Sequence, residues 1–243
     1  ARAITAHTLA VKARIAAMGT YEGLAESQLF EMEYLGFQHA KLGKPDSASL
    51  AGRVAIVTGA AGAIGSGVCR GLLQHGCHVA ATDLPGQRLD SLVDTFAPVF
   101  GARIIGAPLD VTDSRSVADA FDTVIRTWGG VDLLVVNAGV AHVAPLVELD
   151  LEAFQRLERV NVEGTLLVLA EAARHFEQQA TGGDVVVVST KNVFAPGARF
   201  GAYSASKAAS HQLARIASLE LAETDVRVNM VAPDAVFSDG ARR

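Results

Sequence analysis

Arg53-Val-Ala-Ile-Val-Thr-Gly-Ala-Ala-Gly-Ala-Ile-Gly65 is the stretch around which the 243-residue chain is organised. Residues 53–57 read as a short buried strand, β-branched at Val54, Ile56 and Val57. Glycines follow at 59, 62 and 65, and an apolar helical pattern continues through Val68, Leu72 and Leu73. Strand, glycine turn and helix form a phosphate cradle. The unpaired N–H groups of the helix start, with the positive end of its dipole, favour a pyrophosphate. Glycine lets that ligand approach a backbone from which a Cβ would hold it away. A tight strand-to-helix connection leaves the same mark, so context decides.

The second strand supplies context. Residues 77–82 read as a strand ending in Asp83, 24 residues beyond Gly59. An acid at that tip is placed to accept hydrogen bonds from adenosine ribose hydroxyls, and it repels a 2′-phosphate. No Arg or Lys lies in Leu84-Pro85-Gly86. NAD is therefore expected over NADP. A solvated turn acid is the plainer alternative for Asp83.

Half the residues are hydrophobic and the net charge is −5, which suits a sizeable core. With no run of Lys or Arg, nucleic acid and anionic membrane surfaces are poor partners. Cys69 and Cys77 fall in core elements without framework spacing, which suggests a reducing compartment. No apolar run reaches 18 residues, so a soluble cytoplasmic protein is expected.

The first fifty residues differ from the rest. Helical patterns over 5–18 and 24–42 precede a Gly43-Lys-Pro-Asp-Ser47 linker. They are expected to form a helical extension, residues 1–50, ahead of a dinucleotide-binding domain, residues 51–243. His7 and His39 stand alone, and no metal site is expected.

From Arg53 onward strands (53–57, 77–82, 102–107, 131–136, 184–189, 226–231) alternate with helices (63–75, 86–96, 114–128, 150–178, 201–223). The strands are continuous apolar runs, which means burial on both faces of a parallel sheet. Right-handed crossovers then give a Rossmann-like, doubly wound α/β fold with helices on both faces. Ligands bind such sheets beyond the strands' carboxyl ends, and polar residues cluster there: Thr58-Gly59, Asp83, Asp110-Val111, Asn137-Ala138-Gly139, Ser189-Thr190-Lys191-Asn192 and Pro233-Asp234. Tyr203 and Lys207 sit four apart at the start of a helical pattern and share a face. An ammonium there favours the phenolate and lowers the tyrosine pKa, which makes Tyr203 a candidate general acid or base.

These residues carry a resemblance. From Leu50 to about Phe237 the chain resembles the short-chain dehydrogenase/reductase family, through Thr58-Gly59…Ile64-Gly65, Asp83, Asp110, Asn137-Ala138-Gly139, Asn161 and Tyr203-Ser-Ala-Ser-Lys207. The resemblance implies that Tyr203 transfers the proton, that Lys207 lowers its pKa and holds the nicotinamide ribose, and that Asn161 holds a relay water. It gives Thr190 the place of the family's serine hydroxyl. It implies cofactor contacts along Thr58, Gly59, Ala61, Gly62, Ala63, Ile64, Gly65, Asp83, Leu84, Asp110, Val111, Asn137, Ala138, Gly139 and Pro233. His142, Lys191, Asn192 and Phe194 would line the substrate pocket. Three positions depart from the pattern: Thr190 for Ser, Ala63 for the middle glycine, and Asp234 for the glycine after Pro233.

A finer resemblance is to the dehydrogenase half of bifunctional aldolase/short-chain dehydrogenase proteins, which are linked to rhamnulose-1-phosphate cleavage and lactaldehyde oxidation. It rests on Ser27-Gln-Leu-Phe-Glu-Met-Glu-Tyr34, Lys191-Asn192, Ala195-Pro-Gly197 and Pro233-Asp-Ala-Val-Phe237. Residues 1–50 would then be the tail of an aldolase half, and a substrate loop and seventh strand would be expected after Arg243. The expected activity is NAD-dependent hydride transfer to or from a small hydroxy or aldehyde substrate. The competing readings are a non-catalytic dinucleotide-binding module, and an assembly element that forms dimers or tetramers through helices 150–178 and 201–223.

Overall fold

The computed structural model describes residues 49–234 and Val236. The helices expected within 5–42, the linker at 43–47, the Ser27–Tyr34 stretch and Phe237 lie outside the described residues.

Six strands form one sheet: β1 (Val54–Thr58), β2 (His78–Asp83), β3 (Ile104–Pro108), β4 (Leu133–Val136), β5 (Gly183–Val188) and β6 (Val226–Val231). Their order is β3-β2-β1-β4-β5-β6, and every pairing is parallel. β1 pairs with β2 on one side and β4 on the other, so the strand order reverses between β1 and β4. A doubly wound sheet presents its ligand crevice at that reversal. The connecting helices are α1 (Ala63–Gln74), α2 (Gln87–Phe100), α3 (Ser114–Trp128), α4 (Leu151–Leu157), α5 (Gly164–Gln179) and α6 (Gly201–Glu220).

The all-apolar strands serve two cores. Every residue of β1 is buried. Val54 and Ile56 join Phe121, Val124, Val168 and Phe176 in one layer, while Ala55 and Val57 join Cys69, Leu73, Leu89 and Phe96 in the other. Both cysteines, Cys69 and Cys77, are free and fully buried in this second layer. Burial pushes the Cys69 thiol up to about 12. No helix of the described residues is long and apolar enough to cross a membrane.

Two expected helices differ. The reading of 86–96 stops short because Pro98 removes a hydrogen-bond donor and disfavours helix at the residue before it. α2 nevertheless continues to Phe100. Phe96, buried, and Phe100 pack edge to face with ring centres 6.1 Å apart, and Gly101 ends the helix at φ 58°. The single helix expected over 150–178 is three pieces: α4, a π-helical turn at Glu158–Glu163, and α5. Six residues are too few for a hydrophobic pattern to separate a π turn from an α turn.

Candidate active site

The glycine turn is built for close approach. Gly59 has φ +63°, and a Cβ on it would lie 2.8 Å from the Ala138 Cα. A Cβ on Gly65 would lie 2.2 Å from the Gly59 carbonyl oxygen. Both glycines are required by the fold of the turn against β4. Gly62 begins α1 without a side-chain cap, and no acid occupies its first turn. The N–H groups of Ala63, Ile64 and Gly65 therefore have no partner inside the helix and suit an anion. The residues fit a dinucleotide pyrophosphate.

Neighbouring polar residues brace this turn. The Thr58 hydroxyl accepts from the backbone N–H of Asn137 and Ala138, at 2.9 and 3.0 Å. The Asn137 side-chain amide donates to the carbonyls of Thr58 and Gly59, at 2.9 and 3.0 Å. The Thr58 hydroxyl and the Asn137 amide thus tie β1 to β4. Asp83 Oδ2 accepts from Ala61 N–H at 2.9 Å, and Oδ1 accepts from its neighbour Leu84 at 2.8 Å. Asp110 Oδ1 accepts from both the N–H and the hydroxyl of Thr112. The Val111 side chain lies against Gly164, where a Cβ would come within 2.7 Å of it.

The π turn puts Asn161 beneath the end of β4. Its side chain is 1% exposed. Oδ1 accepts from Val140 N–H at 2.8 Å, and Nδ2 donates to the Val140 carbonyl and the Ser206 hydroxyl, each at 2.9 Å. Its backbone carbonyl accepts two hydroxyls, from Thr165 and Ser210, each at 2.6 Å. The single Ser210 hydroxyl proton is shared with the Ser206 carbonyl, 2.9 Å away. Ser206 and Ser210 follow Tyr203 by three and seven residues, on the face of α6 that carries Lys207. That spacing was the signal that could have found them.

Lys207 is buried beside this group. Its Nζ donates to the Val188 carbonyl at 2.8 Å. A Cβ on Gly139 would lie 3.1 Å from Asn161 Oδ1 and 3.5 Å from Lys207 Nζ, so these residues converge. Burial pushes the Lys207 ammonium down to about 8. Tyr203 is raised above the ordinary phenol value by burial, with the Thr190 side chain beside it acting in the opposite direction. The expected lowering of the phenol by Lys207 is therefore not what dominates here. Both groups are held toward their uncharged forms. Thr190, buried at the end of β5, starts a 3₁₀ turn over Lys191–Val193, its hydroxyl accepting from Asn192 N–H at 3.3 Å.

The expected substrate residues border this mouth on two segments. The loop carrying His142 runs beside the start of α6, through Ala144 N–H to the Arg199 carbonyl at 3.0 Å. Lys191 meets Asp234 at 2.7 Å, and its N–H donates to the Pro233 carbonyl, closing the ends of β5 and β6. Phe194 is exposed, packing edge to face on His211, whose Nδ1 lies 3.1 Å from the Ser189 hydroxyl.

A parallel sheet reversing at β1/β4, an uncapped helix after a glycine turn, and a half-buried Tyr203 with a buried Lys207 one turn on in α6 suit a dinucleotide-dependent oxidoreductase class. The family model of the short chain dehydrogenases matches residues 53–243, and the chain belongs to that family. It is 34% identical over 241 residues to the uncharacterized oxidoreductase YuxG of Bacillus subtilis, covering 98% of this chain and 35% of that protein. The chain thus spans about a third of that relative's length. It is 33% identical to a sorbitol dehydrogenase of Cereibacter sphaeroides, covering 77% of this chain and 72% of that one. A solved short chain dehydrogenase from Mycobacterium smegmatis superposes with a TM-score of 0.75 at 29% identity, covering 78% of this chain and 80% of that chain.

Proposed function

We propose that the chain interconverts a small uncharged alcohol and its carbonyl compound, with NAD as the preferred cofactor. The observation that carries this reading is the convergence of Tyr203, Lys207, Thr190 and Asn161 at the strand ends that also hold the uncapped glycine turn. When bound, the nicotinamide supplies or accepts the hydride. Tyr203 gives or takes the proton at its phenolic oxygen. The Lys207 ammonium has three donors, one of them on Val188, and the remaining two are free to stabilise a phenolate or hold a ribose hydroxyl. Thr190 orients the substrate oxygen beside the phenol. Asn161 fixes the Gly139–Val140 backbone that walls the nicotinamide end. Ala63, Ile64 and Gly65 hold the pyrophosphate, and each Asp83 oxygen keeps acceptor capacity for a ribose hydroxyl.

The ion pair of Lys191 with Asp234 supports an uncharged substrate, because the rim lysine is already neutralised. The likeness to a sorbitol dehydrogenase supports a hydroxylated one. More narrowly, we propose a lactaldehyde-like or sugar-derived substrate and a place as the dehydrogenase half of an aldolase fusion. The Ser27–Tyr34 stretch supports this, as does alignment to a relative about three times as long. Exposed Leu166 on α5 and exposed Ile216 and Leu219 on α6 support a dimer or tetramer, which light scattering tests. Buried free thiols support a reducing, cytoplasmic setting.

The deciding experiment is an NAD(H)-linked screen of lactaldehyde and short polyols with wild type and Tyr203→Phe. Turnover in wild type alone is expected; equal turnover in both would refute the role given to Tyr203. Ala63 and Thr190 favour a second reading, a dinucleotide-binding module without turnover. It predicts NADH binding and no hydride transfer to any member of the screen.

A further inference from the structure

We propose that His211 is a positioning residue for the reaction, a clasp that holds Thr190 at the phenol of Tyr203. The inference deepens the catalytic reading above and rests on it. Tyr203, Lys207 and His211 follow one another at four-residue steps, so they lie along one face of α6. Each meets one of three consecutive residues where β5 ends. Lys207 Nζ donates to the Val188 carbonyl at 2.8 Å. His211 Nδ1 and the Ser189 hydroxyl share a hydrogen bond at 3.1 Å. The Tyr203 phenol stands beside the Thr190 side chain. The contacts of Tyr203 and Lys207 belong to the proposed chemistry. That of His211 lies outside it.

Thr190 opens the short turn over Lys191–Val193, and its hydroxyl accepts Asn192 N–H at a long 3.3 Å. Val193 N–H donates to the Thr190 carbonyl at 3.2 Å and Phe194 N–H to the Lys191 carbonyl at 2.9 Å, which makes the turn one unit. His211 touches that unit at both ends. Ser189 immediately precedes Thr190, and the Phe194 ring beyond the turn meets the imidazole edge to face, with centres 5.2 Å apart. Ser189 is 5% exposed, so its hydroxyl needs a partner, and the imidazole supplies one. A leucine in place of His211 would keep an apolar contact with Phe194 but orphan that hydroxyl. The turn would then be held at one end only. A small drift of Thr190 misplaces the substrate oxygen against the phenol, and the rate falls steeply with such a drift.

The test is NAD(H)-linked turnover of whichever member of the lactaldehyde and polyol screen wild type converts fastest. His211→Leu should lower kcat about tenfold, while NADH affinity by calorimetry stays within about twofold. His211→Asn, which carries an amide where Nδ1 lies, should recover kcat to within about threefold of wild type. In a Thr190→Val background, assayed at raised enzyme concentration, His211→Leu should change kcat by less than about twofold, because its loss runs through Thr190. Hydrogen exchange needs no turnover. The amides of residues 191–195 should exchange about tenfold faster or more in His211→Leu and near the wild-type rate in His211→Asn. Wild-type kcat or unchanged exchange in His211→Leu would overturn the inference. So would an equal fold-loss with and without the Thr190 hydroxyl, or no recovery in His211→Asn; either would leave His211 a packing residue. Those outcomes, with wild type active, remove this inference alone. A wild type that converts no member of the screen removes the catalytic reading and this inference with it.

Discussion

Burial acts on Tyr203 and Lys207 in opposite chemical senses with one result. The phenolate and the ammonium are both disfavoured, and each penalty shrinks when the other charge faces it. The lysine's share is measurable. Its folded pKa of about 8 lies below its ordinary value of 10.5. Between those values the unfolded chain binds a proton that the folded chain does not, so stability gains as pH rises through that window. Lys207→Met lacks this term. Urea unfolding at pH 7 and pH 10 should therefore show the advantage of Lys207→Met shrinking with pH, by up to about 3 kcal/mol. An unchanged gap would mean that Lys207 titrates normally. Tyr203→Phe should cut kcat/KM about a thousandfold while NADH affinity stays within about threefold. The Tyr–Lys spacing was legible in the sequence. The balance of charges was not, because it depends on burial, which the packing of α6 against β5 decides.

At the scale of elements, the π turn is what distinguishes this site from a plain helix packed on a sheet. It turns Asn161 inward, where five hydrogen bonds tie together the β4 exit, α5 and α6. Asn161→Ala removes the three made by the side chain and leaves the half-buried Val140 N–H and carbonyl without that partner. It should destabilise the protein by about 2–4 kcal/mol in denaturant unfolding. A loss below about 0.5 kcal/mol would show that the network carries little. The six strands were readable from their apolar runs because both faces are buried, and their bounds shift by only a residue or two. The π turn, the extension of α2 through Pro98 and the return of Arg88 over the glycine turn were not readable. The π turn rests on Asn161 meeting Ser206, and the return of Arg88 on its bond to Ala61, contacts that no local pattern announces; in α2 the burial of Phe96 in the core overrides the signal of Pro98.

For the whole molecule, the proposed substrate mouth lies at the rim of the sheet. Lys191 and Asp234 close the ends of β5 and β6 while both stay more than half exposed. Such a pair adds little stability, so Asp234→Asn should shift unfolding by under about 0.5 kcal/mol. It should nonetheless raise kcat/KM for carboxylate- or phosphate-bearing substrates relative to uncharged polyols, about threefold or more, by freeing a cation at the mouth. No change in that ratio would place the substrate away from Lys191. The division of the interior into two layers has a further use. Both thiols belong to the layer under α1 and α2, and neither touches solvent. Disulfide-exchange dyes will therefore leave the native chain unlabelled, and the rate at which they mark Cys69 and Cys77 clocks the opening of the layer under α1 and α2 alone. Set against the loss of Trp128 fluorescence, which reports the opposite layer, that clock tells whether the halves come apart together or in turn.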